Sequence, residues 1–328
     1  MSGRIVVAGN LTIDDTVNPG AVLDAAPGGD ALYAAMGVRT WGRRPVLLTL
    51  VGEDYPPAHL DRIRSAGIDV SHVRAVPGPT VHYRITNAPS GDRVYEWVGD
   101  PERLDATSPE ATDYSALAGA DWLHIAAMPI RAQEVAVAAA RQAGVPYSLD
   151  PHEEYVVGDE RVVRSLVRGA AFMPSELEVR LLFPDLVGLP PLACAQAAVE
   201  RLDAWEPAMV AVKIGELGAY VRVDGRNAHV PAAEIDVVDS TGAGDAFCGG
   251  FVAGWLATGS ATIAAGCGAV SAAGVMGGFG AFPTTREASL EERIDEALAI
   301  AATAEGDAAG PFPPGARDRL LSAADVAA

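Results

Sequence analysis

Lysine is almost absent from this chain of 328 residues: Lys213 is the only one. With 43 acidic against 24 basic residues the formal net charge is −19, which makes nucleic acid and anionic membrane surfaces poor partners. Any anionic ligand then has to be held by backbone amides, a metal ion and a few arginines. Long apolar runs are missing too; no stretch of about 18 residues lacks polar breaks, so no membrane-spanning helix is expected. Cysteine is scarce: Cys194, Cys248 and Cys267 form no C-x-x-C and give no zinc pattern, which fits a reducing compartment. The opening Met1-Ser2-Gly3-Arg4 runs straight into Ile5-Val6-Val7-Ala8 without a signal-peptide layout, and a cytoplasmic location is expected. Gly9-Asn10 after that first strand begins no G-x-G-x-x-G, which argues against a dinucleotide-binding dehydrogenase. There is no internal repeat.

What is present is a chain 49% hydrophobic and 20% charged, enough for one large α/β domain or two smaller ones. Its most informative stretch is Asp239 to Phe251, DSTGAGDAFCGGF. An apolar, β-branched run precedes it and a small-residue helix pattern follows from Ala246 to Trp255. Gly242, Ala243 and Gly244 carry little side chain, so their N–H groups can face outward at a helix start, where unpaired amides and the helix dipole make an anion site. Asp245 closes that turn. It would repel a phosphate, but it is well placed to take a proton from a hydroxyl attacking one; otherwise it is a first-turn residue favoured by the dipole.

DSTGAGDAFCGGF resembles the C-terminal signature of the ribokinase-like (PfkB) carbohydrate and nucleoside kinases, D-T-x-G-A-G-D-x-F-x-x-G. Through that resemblance Asp245 corresponds to the catalytic base, and the Gly242-Ala243-Gly244 amides to the group that holds the transferring phosphoryl. Further resemblances follow in chain order over roughly residues 4–303. Asp14, with Asp15 beside it as the alternative, stands where the family binds substrate hydroxyls. Pro27-Gly28-Gly29-Asp30 opens a helix like the G-G-x-x-x-N-x-A signature, with Tyr33 in place of its asparagine. Residues 80–98 alternate as a β-hairpin and resemble the family's lid, a small sheet over the sugar site that often pairs between subunits. Asp150-Pro151-His152-Glu153-Glu154 departs from D-P-N-x-R at His152 and Glu154. Ser175, Glu178 and Leu182 align with N-x-x-E-x-x-x-L, where the glutamate orders water around Mg2+; the same spacing is a capping box. Lys213, Gly215 and Gly218 fall in the strand–G-E-x-G element beside the nucleotide, and Gly280 in the segment near adenine.

The expected fold is therefore α/β: a three-layer α/β/α sandwich with a mostly parallel sheet, helices on both faces and a small β lid from about residues 10–26 and 78–100, the whole chain being one kinase domain with a peripheral tail at 304–328. The expected activity is ATP-dependent phosphorylation of a hydroxyl on a small neutral sugar. The rivals are a nucleoside kinase, a 2-keto-3-deoxy sugar acid kinase with Arg84 reaching the carboxylate, and a non-catalytic sugar- or nucleotide-binding member. The expected site comprises Asp245, Gly242, Ala243 and Gly244 for catalysis. Asp14, Gly28, Gly29, Asp30 and Tyr33 serve the acceptor, and Lys213, Gly215, Gly218 and Gly280 the nucleotide. Glu178 holds Mg2+ through water. The resemblance also implies a monovalent cation, K+, near Asp239 and Thr241, and a homodimer formed through the lid.

Overall fold

Ile5-Val6-Val7-Ala8 is buried along its whole length, and its alternation feeds two cores at once. Ile5 and Val7 join one cluster, Val6 and Ala8 the other, as expected for a strand covered on both faces. The computed structural model describes residues 3–18, 20–87, 93–152, 156, 160–282 and 288–324. Its strands are β1 (Ile5–Ala8), β2 (Thr12–Asn18), β3 (Ala21–Gly28), β4 (Val46–Gly52), β5 (Asp69–Val76), β6 (His82–Asn87) and β7 (Arg93–Trp97) in the first part of the chain. They continue as β8 (Trp122–Ile125), β9 (Tyr147–Leu149), β10 (Ala171–Phe172), β11 (Met209–Lys213), β12 (Ala219–Val223) and β13 (Arg226–Val230).

The large sheet has nine strands in the order β13-β12-β11-β10-β9-β8-β1-β4-β5. Its pairs are parallel from β11 to β5 and antiparallel only at the β11–β12–β13 edge. One face is covered by the helices Asp30–Arg39, Ala243–Thr258 and Ala261–Met276. The other is covered by Ile130–Ala143, Glu160–Val167 and Pro191–Leu202. This is the three-layer α/β/α sandwich that the alternation predicts.

The helices Asp30–Arg39 and Ala243–Thr258 touch backbone to backbone. A Cβ on Gly37 would fall 2.1 Å from the Ala246 carbonyl oxygen, and one on Gly249 would fall 1.9 Å from that of Ala34. Glycine at both contacts lets the two helices, and with them Asp30 and Asp245 in their first turns, share one cleft.

A second sheet, β3-β2-β6-β7, stands apart from the first. It is built from the two segments expected to form the small sheet. Residues 88–92 of the expected hairpin lie outside the described residues, as does Glu154. The run Glu234 to Val238 is irregular chain, so a loop rather than a strand feeds the Asp239 stretch. The segment beyond residue 303 is less peripheral than expected. Glu305 bridges to His229 on β13, and the helix Ala316–Ser322 buries Ala316 and Leu320 beside Trp41, Ile263 and Ile294. Those apolar contacts anchor it. Among the described residues no helix is long and apolar enough to cross a membrane.

Candidate active site

Where the parallel strands end at their C-terminal edge, a cleft of about 450 Å3 opens between the two sheets, the usual ligand position in an α/β fold. Its floor is the turn Gly242-Ala243-Gly244. Gly242 caps the helix Ala243–Thr258 in the left-handed region with φ 72°, and a Cβ there would lie 2.0 Å from the Tyr33 ring. Only glycine meets both demands. The Ala243 amide turns to the Ser240 carbonyl at 3.3 Å. The Gly244 and Asp245 amides belong to the first turn that the helix itself leaves unpaired. Asp245 lines the cleft beside them, half-buried. Burial holds its carboxyl well above the usual range, Asp30 and Asp150 add to the rise, and Lys213 opposes it.

Lys213, expected at the nucleotide, ends β11 in a buried ion pair. Its Nζ donates to both Asp150 oxygens at 2.7 Å. Cys248, one helical turn beyond Asp245, donates its Sγ–H to Asp150 Oδ2 at 3.3 Å and lies 3.5 Å from the ammonium. The ammonium also sits directly under the turn, because a Cβ on Gly244 would meet it at 3.5 Å. In the sequence Asp150 is only an aspartate at a strand end; its pairing across 63 residues has no local signal.

On the other side of the cleft, Asp14 projects inward from β2 and is 5% exposed. Thr12 donates its hydroxyl to Asp14 Oδ1 at 2.7 Å. Gly28 backs the carboxylate so closely that a Cβ would overlap Oδ2, while Gly29 lines the cleft with φ 100°. Burial raises Asp14 to about 7 against the opposing pull of Thr12 and His82. Asp30 is likewise raised to about 7, by burial and then by Asp150 and Asp14. Asp15 points to the opposite face of β2, where His82 lies 3.2 Å away and the Ala25 amide binds it at 2.8 Å. The strand's alternation thus separates the two aspartates that the sequence left open.

Glu178 forms the capping box: its Oε2 accepts from the Ser175 amide at 2.5 Å, and the Ser175 hydroxyl accepts from the Glu178 amide at 3.3 Å. Both residues also line the cleft. Burial is the main reason that Glu178 is raised to about 7, with Lys213 opposing. Asp239 is 3% exposed; its Oδ1 accepts from the Thr241 amide and hydroxyl at 3.0 and 2.7 Å. Its Oδ2 is buried with no partner among the described residues. Gly215 lines the cleft, whereas Gly218 and Gly280 do not. Gly218 is fixed instead by the Val230 carbonyl, which a Cβ would approach to 2.1 Å.

The small sheet lines one side of the cleft with rings. Tyr83 on β6 pairs in register with Trp97 on β7, and Ile85 with Tyr95; all four line the cleft. The sequence shows these aromatics, but only the register shows that they share the inner face. The same register puts Arg84 opposite Glu96 on the outer face, 3.9 Å from Asp15, so it is not part of the cleft lining. His152 does line it.

The model of the pfkB family carbohydrate kinases matches residues 7–287. The chain is 27% identical over 277 residues to a fructokinase of Klebsiella pneumoniae, covering 79% of this chain and 86% of that one. It is 28% identical over 267 residues to a cytidine kinase of Thermococcus kodakarensis, covering 76% and 88% respectively. An Escherichia coli structure provisionally described as ribokinase II, in complex with ATP and Mg2+, superposes with a TM-score of 0.67 at 20% identity, over 91% of this chain and 98% of that one.

Proposed function

From the premise that the chain belongs to the pfkB carbohydrate kinase family and is an ATP-dependent kinase with an alcohol acceptor, we propose the following division of labour in the cleft. Asp245 is the general base. The observation that carries this is its place in the first turn of a helix whose start bares unpaired amides. The acceptor hydroxyl gives its proton to the Asp245 carboxylate as its oxygen attacks the terminal phosphoryl of ATP, whose bond to the bridging oxygen breaks to release ADP. The Gly244 and Asp245 amides, which the helix leaves unpaired, face the charge on the phosphoryl oxygens, and the helix dipole adds to them. The test is Asp245→Asn: nucleotide binding persists while kcat falls by about 10²–10⁴. Turnover close to wild type would place the base elsewhere.

Asp14, Asp30 and the Gly29 backbone hold the acceptor's hydroxyls. The acceptor is neutral. Lys213, the only lysine or arginine lining the cleft among the described residues, is already engaged by Asp150, and Arg84 faces outward. A sugar acid would meet carboxylates with no cation to pair. A kcat/KM for 2-keto-3-deoxy sugar acids above that for neutral sugars would contradict this reading.

The described residues contain no group of three or more His, Cys, Asp or Glu that could hold a metal by themselves. That fits Mg2+, which binds through one or two carboxylates, waters and substrate phosphates. The free oxygen of Glu178 would hold it through water; when bound it neutralises phosphate charge. The unpartnered Asp239 Oδ2, with Thr241, would hold K+; no gain in thermal stability in KCl over an equal concentration of choline chloride would count against it. On the outer face of the small sheet Val22, Val94 and Val98 are 59%, 53% and 46% exposed, which supports a homodimer through the lid; light scattering at the monomer mass would rule it out. Three free, buried cysteines suit the cytoplasm, and cell fractionation tests this placement.

A further inference from the structure

The cleft is chemically two-ended. At one end Thr12, Asp14 and Asp30 offer hydroxyl partners. Asn10 also borders that end, but its amide is engaged with Leu104, Thr107 and Ser108. At the other end stand Tyr83, Tyr95 and Trp97, backed by Ile85 and Leu104, which are 3% and 8% exposed. Tyr83 packs on Trp97 with ring centroids 4.4 Å apart and meets Tyr95 edge-on at 6.2 Å. The three rings thus form one continuous wall.

A free hexose carries hydroxyls around its whole rim, and each needs a partner once water is excluded. One ring is enough to pack against the small C–H face of a sugar. Three rings, backed by two buried aliphatic side chains, form a larger apolar surface, which a monosaccharide leaves uncovered.

We infer that the acceptor is a sugar bearing a flat apolar group, a nucleoside, with its ribose hydroxyls on Asp14 and Asp30 and its base against the Tyr83–Tyr95–Trp97 wall. This rests on the kinase reading above and names its substrate class. The phosphorylated atom is still a sugar hydroxyl. The wall's contribution is affinity and choice of substrate, because a base stacks on an aromatic ring by its π-face whatever its edge.

The experiment is ADP release by the full chain with a purine nucleoside, a pyrimidine nucleoside, ribose and fructose, for wild type, Trp97→Ala, Trp97→Phe and Tyr95→Ala. The expected kcat/KM for at least one nucleoside exceeds that for both free sugars by about tenfold or more. Trp97→Ala then lowers the nucleoside value roughly 5- to 150-fold, the range of one base–aromatic stack, and lowers the free-sugar values by a smaller factor, while Trp97→Phe recovers most of the loss. Tyr95 is 48% exposed, so Tyr95→Ala serves if Trp97→Ala does not fold. Free sugars matching or exceeding the nucleosides would overturn the inference. So would equal losses for every acceptor, since the rings would then only hold the small sheet together. If no acceptor gives ADP release that Asp245→Asn abolishes, it is the kinase assignment of this cleft that fails.

Discussion

Lys213→Met removes the only lysine of the chain from a site where its charge has two tasks. The first is structural. The side chains of Lys213 and Asp150 are 12% and 4% exposed, with both carboxylate oxygens 2.7 Å from the ammonium. Methionine fills similar space and leaves Asp150 with only the weak Cys248 Sγ–H donor. Removing one member of a buried pair leaves an uncompensated charge and costs about 3–5 kcal/mol. For a chain of this length that corresponds to a melting temperature lower by about 4–7 °C. The second task is electrostatic. The ammonium pulls the Asp245, Asp30 and Glu178 carboxyls down against burial. Without it their pKa values rise further, the base is deprotonated only at higher pH, and the acid limb of the kcat profile moves upward.

The assays are thermal denaturation and coupled ADP release across the pH range, on Lys213→Met and on Lys213→Met/Asp150→Leu. The double variant removes both charges and should be more stable than the single one, because an apolar replacement of a buried pair is often close to neutral. Its acid limb should fall back to that of wild type or below it, because Asp150 raises Asp245 at least as much as Lys213 lowers it. A single variant with wild-type stability and an unmoved acid limb would refute both tasks. A double variant less stable than the single one would refute the first.

Three further outcomes are expected. Gly244→Ala folds like wild type, because its Cβ meets Lys213 at the ordinary distance of 3.5 Å, while the larger Gly244→Val lowers kcat by crowding the turn; normal turnover in the valine variant would remove the anion-site assignment. Gly242→Ala, with a Cβ 2.0 Å from the Tyr33 ring and φ at 72°, destabilises instead, read as a drop in melting temperature well beyond that of Gly244→Ala. Asp14, raised from 3.8 to about 7 in the fold, keeps a proton that the unfolded chain has already lost, so its contribution to stability falls as pH rises between those values and is constant above; the wild-type-minus-Asp14→Asn difference in melting temperature of the ligand-free protein should fall over that window, and a constant difference would contradict it.

The parts of the fold that were legible in the sequence are those with a local period. β1, β4, β8 and β11 are short buried runs, and the helix Ala261–Met276 is a run of small residues. The Gly242 turn was legible for a local reason too, since glycine, alanine and glycine before an aspartate at a helix start are a conformational requirement written in consecutive residues. Glu178 read as both a cap and a ligand candidate, and the structure gives one oxygen to the cap while leaving the residue in the cleft. What was not legible depends on register or distant pairing. Whether Arg84 or its neighbour Tyr83 faces inward is decided by one residue of strand register. That Lys213 pairs with Asp150 depends on two strands, β9 and β11, separated in the sheet by β10. Nothing in either segment alone records it.

The charge arrangement follows from those same contacts. Asp14, Asp30, Asp150, Glu178 and Asp245 all line one cleft, and five ionised carboxylates so close would repel both each other and an incoming triphosphate. The fold answers in two ways. It gives Asp150 the lysine, which removes one charge as a neutral pair. It buries Asp14 and half-buries Asp30, Glu178 and Asp245, which raises all four carboxyls above the range of exposed ones. The ligand-free cleft is therefore far less negative than its composition states. A base must be ionised to act, so in the proposed mechanism something must lower Asp245 when the substrates arrive. The unpaired first-turn amides favour its charged form, and Lys213 lies beneath the same turn. In the proposed mechanism the single lysine of this chain thus stands where it can make a phosphate site tolerable and a carboxylate basic at once.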